Sequence, residues 1–159
     1  KLLISALPEL ESLKKQIKES SNVEIYEGFR GISTILADIF RVRQEVFYFG
    51  SYSKSAEILK HLPEHSRTIR LENKISAKIV IDNYDEETFH KKEYKKITEM
   101  RFLNELKDFP CMIFIYGNKV AIYTVEGELI GVIIKNKEVS MAMKMIFNIY
   151  WNKSKPARL

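Results

Sequence analysis

Residues Met112–Ile134 read MIFIYGNKVAIYTVEGELIGVII. Three apolar runs, Met112–Tyr116, Lys119–Val125 and Leu129–Ile134, are joined by Gly117-Asn118 and by Glu126-Gly127-Glu128. Links this short, containing Gly and Asn, return one strand directly beside the last, so the stretch predicts an antiparallel meander. Upstream, strands alternate with helices. Val23–Tyr26 alternates as a short strand, and Glu27-Gly28 turns the chain into a helix from about Phe29 to Arg43. Ile32, Ile35, Leu36, Ile39 and Phe40 fall on one stripe of that helix. The β-branched and aromatic run Glu45–Phe49 predicts a second strand, closed by Gly50-Ser51. A helix from about Lys54 to Leu62 follows, and Pro63 starts another that carries Ile69, Leu71 and Ile75. Ala77–Ile81 is a strand ended by Asp82-Asn83, Glu86–Ile97 a charged helix, and Glu99–Leu103 a short strand. After the meander, Val139, Met143, Ile146, Phe147 and Tyr150 mark the apolar face of a helix from about Lys137 to Asn152. Strands and helices in alternation require crossovers in a mixed sheet. The expected fold is therefore an α/β three-layer sandwich with a mixed sheet, ending in an antiparallel meander and a C-terminal helix.

Composition narrows the function classes. At 159 residues, the chain fits one globular domain able to bury a core without staples. Six Gly and four Pro exclude collagen-like and low-complexity chains. No run approaches the roughly 18 apolar residues of a membrane span, so no membrane partner is expected. The opening KLLISALPELESLKK lacks the h-region of a secretory signal, and a lone cysteine, Cys111, points to a reducing cytoplasm. A net charge of +5 permits an anionic partner without demanding one. Lys91, Lys92, Lys95 and Lys96 cluster, as do Lys153, Lys155 and Arg158, but no aromatics interleave them to read bases.

The first 21 residues read apart from the rest. Leu3, Leu10 and Ile17 recur every seven residues, with Ala6 and Leu13 at the other heptad position. Pro8 interrupts the pattern and suits the first turn of a helix running to about Lys18. Two heptads fit a helix packed on its own domain as well as one paired with a partner. The division expected is 1–21 as a linker or dimerisation helix and 22–159 as the main domain.

The motifs that would announce catalysis are missing. No GxSxG elbow, GxxxxGK[ST] loop or GxGxxG fingerprint occurs. His61 and His65 straddle Pro63, without the Glu of a metal-binding HExxH, so neither a metal nor a cofactor is expected. Cys111 lies in the apolar run PCMIFIY with no base beside it, which reads as a buried inert thiol. Polar residues at strand ends carry more weight, because ligands of open α/β sheets gather beyond the carboxyl ends of the strands. Candidate ligand contacts are Glu27 and Gly28 at the first strand-to-helix turn, Ser51, Tyr52 and Ser53 after the second strand, and Asp82 and Asn83 after the third. Arg101, inside EMRFL, is the last, and an inward Arg101 needs an anion from Glu24, Asp82 or a ligand. Ordinary turn chemistry is the competing account of the strand ends. For the glycines it is a positive-φ turn at Gly28 and close packing at Gly31.

The runs IYEGFRGISTILADIF, EVFYFGSYS, RTIRLENKISAKIVIDN and ITEMRFL, in that order and spacing, resemble the effector domain of the TrmB family over about residues 22–155. These are archaeal and bacterial transcriptional regulators, many of them sugar-responsive. The resemblance implies a phospholipase-D-like fold without the catalysis. It also implies a winged helix-turn-helix upstream, joined by a helical linker that dimerises. Residues 1–21 would then end that linker, with Leu3, Leu10, Leu13 and Ile17 facing a second subunit of a homodimer. The winged helix is not in this sequence, so DNA would be reached only through that domain, and the start at Lys1 fits a fragment of a longer regulator. Phospholipase-D chemistry needs His-x-Lys-x4-Asp. The only His-x-Lys is His90-Lys91-Lys92, with Ile97 where Asp should stand, and Cys111–Tyr116, the usual place of the motif, has neither His nor Lys. The expectation is a non-enzymatic domain that senses a small effector, a sugar or an anionic metabolite. Tyr26, Tyr52, Tyr84, Asp82 and Asn83 are the groups that could build a sugar site. A scaffold that binds nothing small is the alternative, and a degenerate phosphodiesterase the remote one.

Overall fold

The computed structural model of the chain describes residues 2–19, 22–60, 65–83 and 91–157, with backbone alone at 2–3, 14–19 and 65–67. Eight strands form one sheet: β1 (Val23–Glu27), β2 (Val46–Gly50), β3 (Ala77–Ile81), β4 (Thr98–Phe102), β5 (Cys111–Tyr116), β6 (Lys119–Thr124), β7 (Ile130–Lys135) and β8 (Lys155–Pro156). Their spatial order is β1-β7-β6-β5-β2-β3-β4-β8. β2, β3 and β4 run parallel, while β5, β6 and β7 form the expected meander and β1 closes it antiparallel to β7. The helices are α1 (Leu2–Glu19), α2 (Gly28–Arg41), α3 (Tyr52–Leu59), α4 (His65–Glu72), α5 (Lys92–Lys96) and α6 (Lys137–Lys153), with a 3-10 turn at Asn104–Asp108.

The period-2 pattern of the strands divides the core in two. On one face Val46, Met112, Phe114, Tyr116, Ala121, Tyr123 and Ile133 pack against the α2 stripe and Ile58 of α3. On the other, Phe49, Val80, Ile113, Ile115 and Val120 pack under Phe147, Met143 and Trp151 of α6. A third cluster, Ala77, Ile79, Ile81 and Met100, continues over β3 and β4 with Tyr48, Tyr52 and Tyr94 against it. The result is helix, sheet, helix: three layers, as expected.

Several boundaries move for local reasons. α3 starts at Tyr52 rather than Lys54 because the Ser51 hydroxyl caps it, accepting from Lys54 N at 3.3 Å. Pro8 sits inside α1 rather than in its first turn, because the helix begins at Leu2. An interior proline leaves the carbonyl four residues back without its N–H. Of the expected helix Glu86–Ile97, only Lys92–Lys96 is helical among the described residues, and positions 84–90 lie outside them. The two-residue strand β8 has no pattern to read. It exists because α6 ends against β4 and Lys155 and Pro156 pair with Phe102 and Arg101.

Candidate functional site

The carboxyl ends of β1, β2, β3 and β4 share one edge of the sheet, so most of the expected ligand residues line that edge. Ser51, Tyr52, Ser53 and Asp82 come together there. Asp82 Oδ1 accepts from Tyr52 N at 2.6 Å and from Ser53 N at 3.4 Å. Its Oδ2 accepts from the Ser53 hydroxyl and, at 3.4 Å, from Ser51 Oγ. Ser51, fully buried, also reaches the Lys107 carbonyl at 3.3 Å. Lys54 Nζ pairs with Glu126 at 2.6 Å across the neighbouring turn. A helix N-terminus offers free N–H groups and a positive dipole end to an anion. At α3, the chain's own carboxylate takes that place.

Asp82→Ala is therefore expected to cost about 1–3 kcal/mol by leaving donors of the first turn unpaired. That corresponds to a drop of roughly 2–12 °C in the melting midpoint for a domain of this size. Because the substitution frees the N-terminus of α3, inorganic phosphate should restore more stability to the variant than it adds to the native chain. A thermal melt with and without phosphate reads both effects.

The other candidates stand apart. Glu27 and Gly28 share the edge, but four strand spacings separate β1 from β2, about 19 Å at the usual interval. Gly28 has φ +66° and donates its N–H to Leu129 O at 2.9 Å, the geometry of a tight turn. A Cβ on Gly31 would stand 2.9 Å from Tyr26 Cβ, so close packing of α2 on β1 accounts for that glycine. Asn83 is exposed beside Asp82, and Tyr84, His61 and His90 lie outside the described residues. Arg101 projects from the α6 face of the sheet, opposite α3. It donates through Nε to Ser154 Oγ at 3.0 Å and through Nη2 to Ser154 O at 2.7 Å, with Trp151 5.2 Å from the guanidinium. It is held by a carbonyl, a hydroxyl and a ring, where the sequence suggested an anion from Glu24, Asp82 or a ligand. Arg101 holds the end of α6 in place. Cys111 is half-buried, and burial, then the charge of Glu126, raises its thiol pKa, which disfavours a thiolate nucleophile.

Two polar clusters were not foreseen. Arg70 of α4 is only 3% exposed. Its Nε donates to Ile75 O at 3.1 Å, and Nη2 donates to Ile97 O at 3.1 Å and Thr98 Oγ1 at 2.6 Å. Tyr94 lies 4.7 Å from the guanidinium, while Nη1 has no hydrogen-bond partner among the described residues. Nearby Tyr48 is held well above the ordinary phenol pKa by burial first, then by Tyr94. The only sequence signal was an arginine between Ile69 and Leu71 on a helix with little apolar content. At the opposite edge of the sheet, Asp38 accepts from Tyr116 OH at 2.9 Å and from Lys119 Nζ at 2.9 Å. Tyr26 donates to Glu24, and that bond and burial push its pKa up to about 12. Tyr116 and Lys119 are 78 and 81 positions from Asp38, beyond the reach of any spacing rule. Among the described residues, no cluster of three or more His, Cys, Asp or Glu could hold a metal ion. No described helix is long and apolar enough to cross a membrane.

Neither family models nor curated protein sequences match this chain. Solved structures do. TrmBL2, an archaeal chromatin protein whose structure shows a novel mode of DNA binding, is 17% identical with a TM-score of 0.63. That match covers 98% of this chain and 67% of TrmBL2. Nuc from Salmonella typhimurium, a phospholipase D family member, is 15% identical with a TM-score of 0.56, over 86% of this chain and 98% of Nuc. NucT from Helicobacter pylori is 12% identical with a TM-score of 0.53, over 85% and 98%. At such identities the likeness establishes the fold alone, an α/β sandwich similar to that of the phospholipase D family member Nuc.

Proposed function

We propose that this chain is the effector and dimerisation domain of a TrmB-like transcriptional regulator. It binds a small metabolite, a sugar or an anion, performs no catalysis, and controls a winged-helix domain that contacts DNA. The observation that carries this reading is the extent of the likeness to TrmBL2. It takes in 98% of this chain against 86% for Nuc, a difference about equal to the length of α1. α1 supports it further. Leu10 and Leu13 are 59% and 54% exposed, with Ile4 and Leu7 exposed on the same helix. An apolar stripe left in water is what a linker helix awaiting a second subunit would present. The side chains of Leu3 and Ile17 lie outside the described residues.

A sensor needs differential affinity for two arrangements rather than a nucleophile. β5, where the phospholipase-D motif would lie, carries neither His nor Lys. The scaffold reading also has an observation in its favour, because Asp82 already fills the N-terminus of α3. A thermal-shift screen against sugars, sugar phosphates, nucleotides and carboxylates separates the two. A ligand at 100 times its dissociation constant adds about 2.7 kcal/mol, or roughly 5–10 °C here. A shift confined to one chemical class supports the sensor and identifies its effector class. No shift across the panel leaves the scaffold, and turnover of bis(p-nitrophenyl) phosphate would overturn both.

A further inference from the structure

α6 is apolar on two faces, and on its side of the sheet only the strands directly beneath it are covered. The residues paired in register across the sheet make this plain. Ile25, Val132, Ile122, Ile113, Phe49, Val80, Arg101 and Pro156 form one row on the α6 face, running from β1 to β8. Under α6 the row is dry, with Phe49, Val80 and Ile113 buried. Towards β1 it opens. Val132 and Ile122 are half-buried, Ile25 is 70% exposed, and Val23 on the same face of β1 is also exposed. β7 and β1 thus form an apolar shelf one helix layer below the top of α6.

The inner face of α6 is accounted for by Val139, Met143, Phe147, Tyr150 and Trp151. Its outer face carries Met141, Met145 and Ile149, spaced by four, with Met145 69% and Ile149 66% exposed. Ile146 stands exposed on the flank away from Lys144, which lies over Phe47 of β2, and away from Trp151, which packs towards β3 and β4. That flank is turned to the β6–β7–β1 side and joins the helix surface to the shelf. A helix apolar on its outer face as well as its inner one exposes a surface suited to a second packing partner.

We infer that this face is an interface between two copies of the chain, in which the outer face of α6 from each copy lies on the β1–β7 shelf of the other. The two helices then share one layer between two sheets, touching along their Ile146 flanks, with the four-residue ridges free to interdigitate. The surface is self-complementary, as a two-fold contact requires: each copy supplies one helix and one vacant shelf. The area is also sufficient. Val23, Ile25, Met141, Met145, Ile146 and Ile149 expose roughly 600 Å², and the half-buried Ile122, Val132 and Ile134 bring this close to the about 800 Å² per partner of a standard interface. The contact is separate from the α1 stripe and does not depend on what the domain senses.

Sedimentation of the full chain tests this. In a Leu10→Lys/Leu13→Lys background, which removes pairing through α1, the chain is expected to remain dimeric. Adding Met145→Lys/Ile149→Lys is expected to weaken that dimer by at least roughly a hundredfold. Both added positions are exposed, so the melting midpoint of the dissociated subunit should stay near that of the native fold. Position is checked by mixing two single variants, Ile25→Cys and Met145→Cys, under mild oxidation. Cross-linked dimer is expected in the mixture well beyond either variant alone. A monomeric chain in the first background, or a dimer indifferent to the second pair of lysines, overturns the proposal, as does cross-linking no greater in the mixture than in its components. Loss of dimer with the α1 substitutions alone would place the whole assembly at α1.

Discussion

Phe147→Ala is expected to destabilise the chain by about 3–5 kcal/mol, the usual cost of emptying an aromatic site in a packed core. For a domain of this size, that lowers the melting midpoint by roughly 6–20 °C. Phe147 is almost wholly buried, and it is the ring on which the α6 layer is seated. Its centroid lies 5.5 Å from Phe47 at an interplanar angle of 73°, 6.3 Å from Phe49 and 5.7 Å from Trp151. Two of these partners belong to β2, the central strand, and the third fixes the end of α6 beside Arg101. Removing the ring therefore opens a cavity and loosens the anchor of β8 together. Ile149→Ala, two residues on but outward-facing, should leave the stability of an isolated subunit within about 0.5 kcal/mol. The contrast is read in chemical denaturation of both variants at a concentration where the subunit is single.

Gly50→Ala is the second large effect, expected at roughly 2–4 kcal/mol from overpacking and backbone strain together. Gly50 ends β2 at φ +150°, a conformation L residues rarely adopt. A Cβ there would overlap the Cys111 carbonyl oxygen and stand 2.6 Å from Met112 Sδ and 3.1 Å from Met112 Cα. The carbonyl and Cα belong to β5, the paired neighbour, so relief requires moving a strand rather than turning a side chain. The damage should also reach the candidate site, because Gly50 delivers Ser51 to Asp82. Gly127→Ala is the matched control. Its φ is +68°, but nothing lies within 4 Å of the added carbon, so only the conformational cost of about 1–2 kcal/mol remains. Equal losses at both positions would show that the close approach of β5 contributes nothing.

The architecture was legible because each element carried its own period. The pattern places Ala77–Ile81 to the residue and every end of the meander strands within one residue, since turns such as Gly117-Asn118 are local chemistry. The α2 stripe foretold its own burial: all five of its apolar residues are in the core. The candidate site was legible only in part. Sequence placed Ser51, Ser53 and Asp82 at strand ends, and parallel pairing of β2 with β3 brings them to one edge. It could not show that they satisfy one another, because hydrogen bonds spanning 29 to 31 residues depend on register. The strand pattern does not show what Arg101 meets: it bonds Ser154, 53 residues away, reached only once α6 crosses the sheet.

Residue pattern is thus enough for most of the secondary elements (though not for β8), for the mixed sheet, and for the lack of His and Lys on β5. Those depend on residue type and on neighbours within a turn or a strand. Tertiary structure alone decided which polar groups meet, that Arg70 is buried, and that α6 and the β1–β7 shelf are left apolar and uncovered. Burial is a property of what packs above a residue, and Ile25 and Ile79 look alike in a strand until the sheet sets one at its edge and the other at its centre.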